Sequence, residues 1–237
     1  MDLVLLAAGF ATRLEPLTLN QPKHLLPVRG GVFVDLLMNQ LEKVDHKFSH
    51  KVIITNDKYF DKFSVFADKI DRGYEVINDG VKSKIKRIGA IGDLFSAVDQ
   101  ANLEGDLLIL AMDYIFIKFD FDHLLKFINK KNASVTIARR ESNINILKAG
   151  SCLDFTKDGK VTRFQEKPKT PFSSFFGVPY YFVKKGDLAL VRNLPKNLWD
   201  NCGQIAKIIS DKSSLYAYRC DEEYLHMTTL DDYKLMQ

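Results

Sequence analysis

The chain is short of every feature that would tie it to an oxidising compartment, a membrane or a polyanion. Its three cysteines, Cys152, Cys202 and Cys220, are odd in number, scattered and without a CxxC pair. That argues against a disulfide framework and for buried reduced thiols. No run approaches the ~18 apolar residues that a membrane span needs. The first apolar run follows Met1-Asp2 without a basic lead-in and stops at Gly9, which argues against a signal peptide and for a cytoplasmic protein. Net charge is only +4, from 34 basic and 30 acidic residues; neither nucleic acid nor an anionic membrane is expected as a partner. There is no internal repeat, no low-complexity tract and no Pro/Gly/Ser-rich linker, so 1–237 reads as one domain. Neither GxxxxGK[ST] nor GxGxxG occurs, which withholds support from a P-loop and from a dinucleotide oxidoreductase.

What is present is alternation. Short apolar runs that read as strands (3–7, 51–55, 74–77, 107–112, 133–138) are separated by stretches of helical spacing (34–44, 58–67, 93–101, 121–130). This βαβα order predicts an α/β fold, a Rossmann-like three-layer sandwich with a mostly parallel sheet. The second half changes character. Shorter strands are expected at 152–155, 161–165, 180–183 and 215–219, with helices near 188–193 and 204–209. The reading is a nucleotide-binding half, 1–115, followed by a mixed half, 116–237, that covers it. Ligands of open parallel sheets sit beyond the carboxyl ends of the strands. The loop 8–23 and Asp113 fall there.

That loop holds a glycine, a Thr-Arg pair and a Pro-Lys pair. Gly9 lets the backbone turn and approach a ligand with no Cβ in the way, and successive N–H groups in such a loop can face one phosphate. Arg13 adds a forked cationic donor suited to phosphate oxygens. Pro22 stiffens the chain before Lys23 and so fixes where a second cation points. One loop can thus hold a polyphosphate from two sides. Taken alone, a strand followed by a glycine turn with a solvated Arg and Lys has the same appearance.

The stretch LAAGFATRLEPLTLNQPKHLLPV, residues 6–28, resembles the N-terminal signature of the sugar-1-phosphate nucleotidylyltransferases, roughly LAAGxGTRLxPLTxxxPKxLLPV, in a short form without the C-terminal extension. Ala11 stands where that pattern has its middle glycine. The resemblance implies a GT-A-like nucleotidyltransferase fold. It implies that Leu6, Ala7, Ala8, Gly9, Ala11 and Thr12 lie against the nucleotide, and that Arg13 and Lys23 neutralise the NTP phosphates. Residues 78–98, NDGVKSKIKRIGAIGDLFSAV, are similar to a family segment in which a glycine contacts the base; Gly89 is the candidate. Lys84 takes the place of a base-reading Gln of thymidylyl-type members, so the base is not readable by analogy. Helix-start geometry is the plain alternative for Gly89 and Gly92.

LLILAMD places Asp113 at the end of an apolar strand, where a carboxylate suits Mg²⁺ carried with phosphates; a turn or cap Asp has the same signature. The resemblance implies the metal role, with Met112 replacing a family glycine. RFQEKP, residues 163–168, is similar to the family's EKP motif. By that match Glu166 accepts from substrate hydroxyls and Lys167 holds the acceptor phosphate, and Gly150 and Gly177 line the sugar pocket. Near the end, YLHMTTLDDY, residues 224–233, departs from the family pattern and puts His226 in the place of a second metal-binding Asp. Imidazole is a poor ligand for Mg²⁺ and a better one for Mn²⁺. Either His226 joins the metal, within ligand or one-water distance, or Asp113 carries it alone.

The implied activity is transfer of NMP from an NTP to a sugar 1-phosphate, giving an NDP-sugar and pyrophosphate, with Arg13, Lys23 and Lys167 in the catalytic set. Two rivals stand beside it. One is a cytidylyltransferase for phosphocholine or another phosphorylated alcohol, with Phe176, Tyr180 and Tyr181 as a cation–π box. The other is a non-catalytic protein that binds nucleotides or nucleotide sugars, suggested by Met112 and the missing second Asp. Residues 32–44 or the aromatic second half are the surfaces available to a homo-oligomer.

Overall fold

A strand covered by helices on both faces has no solvent side, and Leu3, Val4 and Leu5 are each 0% exposed. The computed structural model, which describes all 237 residues, builds a nine-stranded sheet around them. Its strands are β1 (Asp2–Leu6), β2 (Lys51–Thr55), β3 (Glu75–Asn78), β4 (Leu107–Ala111), β5 (Ser134–Arg140), β6 (Ser151–Phe155), β7 (Val161–Glu166), β8 (Phe175–Val183) and β9 (Leu215–Arg219). β3, β2, β1 and β4 lie side by side and parallel. β8 joins β4 antiparallel, β5 joins β8 antiparallel, and β9 closes that edge parallel to β5. The antiparallel pair β6–β7 branches from the far end of β8. The fold is thus mostly parallel in its first half and mixed in its second.

Helices α1 (Asp35–Glu42), α2 (Phe60–Ile70) and α4 (Phe121–Lys131) cover one face, where Leu3 and Leu5 point. Helices α3 (Ala90–Gln100), α6 (Lys185–Arg192) and α7 (Gly203–Lys212) cover the other, where Val4 points. The period-2 alternation of β1 thereby feeds two separate apolar cores. Two short helices, α5 (Ile144–Ala149) and α8 (Leu230–Lys234), lack a helical apolar stripe; caps start them instead, Asn143 for α5 and a Thr229–Asp232 capping box for α8. β8 starts five residues earlier than the apolar run suggests, because a bulge between Val178 and Tyr181 breaks its alternation. Tyr180 and Tyr181 are 1% and 2% exposed, in different cores. They cannot share a cation–π box, which removes that support for the phosphocholine reading.

A two-stranded ribbon pairs Tyr114–Phe116, just after β4, with Tyr224–His226. It brings the last stretch of the chain back to the first half. The three cysteines form no disulfide; Cys152 is buried and the other two are half-buried. No helix is long and apolar enough to cross a membrane.

Candidate functional site

The carboxyl ends of β1, β2, β3 and β4 share one edge of the sheet, so the residues that follow them gather there. A cleft of about 590 Å³ opens at that edge. Leu6, Ala7, Ala8, Gly9, Ala11, Arg13, Lys23, Gly89, Asp113 and Lys167 all line it. A larger groove of about 790 Å³, between α1 and the loops around 120 and 220, contains none of them.

The loop after β1 is built to leave its amides free. The carbonyls of Ala8, Phe10 and Ala11 accept bonds from Asn56 (2.8 Å), Tyr59 (3.2 Å) and Thr18 (2.9 Å). The N–H groups of Ala8, Gly9, Phe10 and Ala11 donate to no protein atom. Ala11 sits in the left-handed region at φ +49°, so the position that is glycine in the family signature has the backbone a glycine prefers. Thr12 Oγ1 accepts from Lys84 Nζ at 2.8 Å. Lys84, which takes the place of the family's base-reading Gln, lines the cleft and reaches the β1 loop.

Lys23 Nζ lies 2.7 Å from Asp113 Oδ2 and donates to the Met227 carbonyl at 3.2 Å. Burial pushes the Asp113 carboxyl up, but Lys23, His226 and His24 outweigh it and hold the group well below the usual carboxylate range. His24, 2% exposed, has its pKa pushed down to about 3 by burial and then by Lys23. Its Nδ1 has no partner. His226 is likewise lowered, by desolvation first and by Lys23, with Asp113 opposing. A 2.9 Å contact to the Thr228 hydroxyl engages His226 Nε2.

No group of three His, Cys, Asp or Glu side chains gathers to hold a metal by itself. Asp113 fits a hard divalent ion that arrives on a nucleotide, since such ions take one or two protein carboxylates and draw their other ligands from phosphate and water. His226 does not suit Mg²⁺, and Lys23 occupies one oxygen of the single carboxylate.

From the second half of the chain, Lys167 Nζ bonds Asn201 Oδ1 at the cleft wall. Glu166 is set back from the cleft lining. It accepts from Ser151 Oγ and lies against Gly203 at the start of α7, so closely that a Cβ there would come within 2.0 Å of its oxygen. Burial raises the Glu166 carboxyl. Gly150 and Gly177 do not line the cleft either. A Cβ on Gly150 would meet the Phe176 ring at 2.3 Å, and one on Gly177 would meet Ser151 Cβ at 2.9 Å; these glycines let β8, β6 and Phe176 pack together. Gly89, at φ +81°, opens α3, whose Ile91 N–H donates to Trp199 O; a Cβ on Gly89 would come within 2.6 Å of the Trp199 backbone.

Sequence reading missed His24, Asp79, Asp93 and the anchors Thr18, Asn56 and Tyr59. Asp79 and Asp93 line the cleft beside Gly89, and each perturbs the other's carboxyl. Burial, then Asp79, pushes Asp93 up to about 8. Both follow elements whose ends were legible, Asp79 after β3 and Asp93 in the first turn of α3, and that placement was the available signal.

The model of one family, described as nucleotidyl transferase, matches residues 3–223. The chain belongs to the nucleotidyl transferase family. Among curated relatives of this chain, a protein of Sulfolobus acidocaldarius named as a mannose-1-phosphate guanyltransferase is 31% identical over 190 residues, covering 77% of this chain and 48% of its own. A bifunctional protein GlmU of Methanococcus aeolicus is 27% identical over 193 residues, covering 76% and 39%. The chain spans half or less of the length of these two relatives. Among solved structures, one named as a glucose-1-phosphate thymidylyltransferase of Bacillus anthracis superposes with a TM-score of 0.82 at 18% identity, covering 100% of this chain and 93% of its own. A UDP-glucose pyrophosphorylase of Acinetobacter baumanii gives 0.76 at 16% identity, covering 99% and 91%. At these identities the two structures show the fold.

Proposed function

We propose that this nucleotidyl transferase moves NMP from an NTP to a sugar 1-phosphate, releasing pyrophosphate. The observation that carries the reading is one cleft in which unpartnered loop amides and the cations Arg13, Lys23 and Lys167 accompany the ionised carboxylate Asp113. The sugar-phosphate specificities in the names of the relatives support the acceptor class.

In this reading the phosphate oxygen of the acceptor attacks the α-phosphorus of the NTP. The new O–Pα bond forms as the bond from Pα to the bridging oxygen breaks, and the electron pair leaves with pyrophosphate. The nucleophile is already anionic, so no side chain has to remove a proton. The amides of Gly9 and Ala11 and the Arg13 guanidinium hold the β- and γ-phosphates. Lys167 holds the acceptor phosphate, and Lys23 keeps the charge between the two anions low. Catalysis is then alignment and charge neutralisation. Asp113 would hold a divalent ion arriving with the NTP, and that ion would further neutralise the phosphate oxygens.

The test is pyrophosphate release from ATP, GTP, CTP, UTP and dTTP, each paired with glucose 1-phosphate, other hexose 1-phosphates or phosphocholine, in Mg²⁺ and separately in Mn²⁺. Release with one nucleotide and a hexose 1-phosphate is expected, and it names base and acceptor together. Release only with phosphocholine overturns the acceptor class. Silence throughout, with nucleotides still bound, overturns the catalytic reading in favour of a binding protein.

A further inference from the structure

Thr18, Asn56 and Tyr59 are each 0% exposed, and none of the three contributes to the cleft lining. Burying a polar side chain is costly unless its hydrogen bonds are made. These three make theirs almost entirely to the backbone of one loop and to each other. Asn56 Nδ2 donates to Ala8 O at 2.8 Å, and its Oδ1 accepts the Tyr59 N–H at 3.2 Å. The Tyr59 hydroxyl directs its single proton to Thr18 O at 2.7 Å, with Phe10 O a second acceptor at 3.2 Å. Thr18 Oγ1 donates to Ala11 O at 2.9 Å, and Lys58 Nζ reaches Thr18 O at 3.0 Å.

The peptide plane makes this consequential. In a trans peptide the carbonyl of one residue and the N–H of the next point in opposite directions. Fixing Ala8 O on Asn56 therefore turns the Gly9 N–H away from the buried side. Fixing Phe10 O on Tyr59 does the same for the Ala11 N–H. Both N–H groups lack a protein acceptor, and both residues line the cleft. Ala11 is held at φ +49°, against the preference of a residue with a Cβ, and its carbonyl is the one tied to Thr18. Backbone donors arranged in this way form an anion-binding concavity.

We propose that Thr18, Asn56 and Tyr59 are positioning residues: they pin the carbonyls of the loop 8–11 so that its amides are presented, preorganised, to the phosphates of a nucleoside triphosphate. The proposal rests on the nucleotide-binding part of the function above but not on the acceptor or on turnover. A buried network serving only the fold would change stability and leave ligand discrimination untouched, and this separates the two roles.

The experiment uses the full chain and measures, by calorimetry, the affinity of the NTP that binds tightest, of its nucleoside and of inorganic tripolyphosphate, with melting temperature recorded alongside. Tyr59→Phe removes one hydroxyl and keeps the ring in the core. Asn56→Asp keeps the acceptor for the Tyr59 N–H but sets an oxygen against Ala8 O. Thr18→Val removes the donor at nearly constant shape, and Thr18→Ser keeps it. The expected result is a loss of about tenfold or more for NTP and tripolyphosphate in Tyr59→Phe, Asn56→Asp and Thr18→Val, the size of one or two hydrogen bonds. Nucleoside affinity stays within about twofold, and Thr18→Ser restores wild-type values. Equal losses for nucleoside and NTP, or no loss in variants that melt lower, would overturn the proposal. So would a wild-type chain that binds no polyphosphate. If Tyr59→Phe or Asn56→Asp does not fold, the Val and Ser variants at Thr18 decide between the outcomes. Should pyrophosphate release fail while tripolyphosphate binding depends on these residues, the function falls and the positioning role stands.

Discussion

Ala11 carries a conflict between its side chain and its place. Its left-handed backbone is one that a Cβ disfavours by about 1–2 kcal/mol, partly offset by the smaller entropy an alanine loses on folding. Ala11→Gly is expected to raise the free energy of unfolding by roughly 0.5–1 kcal/mol, read from the denaturant midpoint at constant m-value. A lower midpoint would mean that the loop conformation is set by something other than the pinned carbonyls. Arg13 is exposed at the cleft lip, so removing it leaves the core intact. Arg13→Ala is expected to lower turnover by roughly 10²–10³-fold, as for loss of a preorganised donor, with an unchanged melting temperature. A near-wild-type rate would take Arg13 out of the site. At this scale the sequence was most informative where a residue's chemistry is unusual for its position. Gly9, Arg13, Lys23 and Asp113 were legible, and all four line the cleft. Asn56, Tyr59 and Thr18 were not, because nothing in a lone Asn, Tyr or Thr tells which backbone carbonyl it will meet, 7 residues away for Thr18 and 41 or more for Asn56 and Tyr59.

Helix α3 shows how an element start can serve packing and site at once. Gly89 opens it with a backbone that only glycine adopts easily, pressed on Trp199. Gly89→Ala is expected to destabilise the chain by about 2–3 kcal/mol; a loss below about 0.5 kcal/mol would show that the Trp199 loop gives way. In the first turn, Asp93 is pushed from 3.8 to about 8 by burial and by Asp79. The native state then holds a proton that the unfolded state gives up, between about pH 4 and pH 8. This contribution to stability is complete below about pH 4 and is lost as the pH rises through about 8. The melting temperature of the wild type is expected to fall relative to Asp93→Asn across that window, and the two to converge in acid. A constant difference would place the proton elsewhere. Long elements with clear periodicity, such as β1, β4 and α4, were legible to within a residue or two. α5 and α8 were not, since caps rather than apolar stripes start them. The setting of Glu166, Gly150 and Gly177 depends on Phe176 and α7, partners that no local pattern reveals.

Across the whole molecule, two features tie the halves together. β8 is a single strand whose later residues pair with β4 and whose earlier ones pair with β6. In the cleft lining, Arg87 from the segment before α3 forms a two-point ion pair with Asp200, from the segment before α7, at 3.1 and 2.7 Å. Both side chains of that pair are about half exposed. Asp200→Asn is therefore expected to change unfolding free energy by less than about 1 kcal/mol, and to change nucleotide dissociation rates more visibly than stability. An effect above 2 kcal/mol in urea unfolding would show that the pair holds the walls together.

The ribbon between Tyr114–Phe116 and Tyr224–His226 bears on the order in which the protein is made. Lys23 precedes Asp113 by 90 residues in the chain, but the carbonyl that completes the lysine's setting belongs to Met227, 204 residues after it. The Arg29 N–H waits still longer, for Met236 O. A nascent chain with all of its first half exposed would still lack one wall of the cleft. Nucleotide is then poorly placed to template the folding of that half during synthesis, because the setting of Lys23 is complete only once residue 227 has been made.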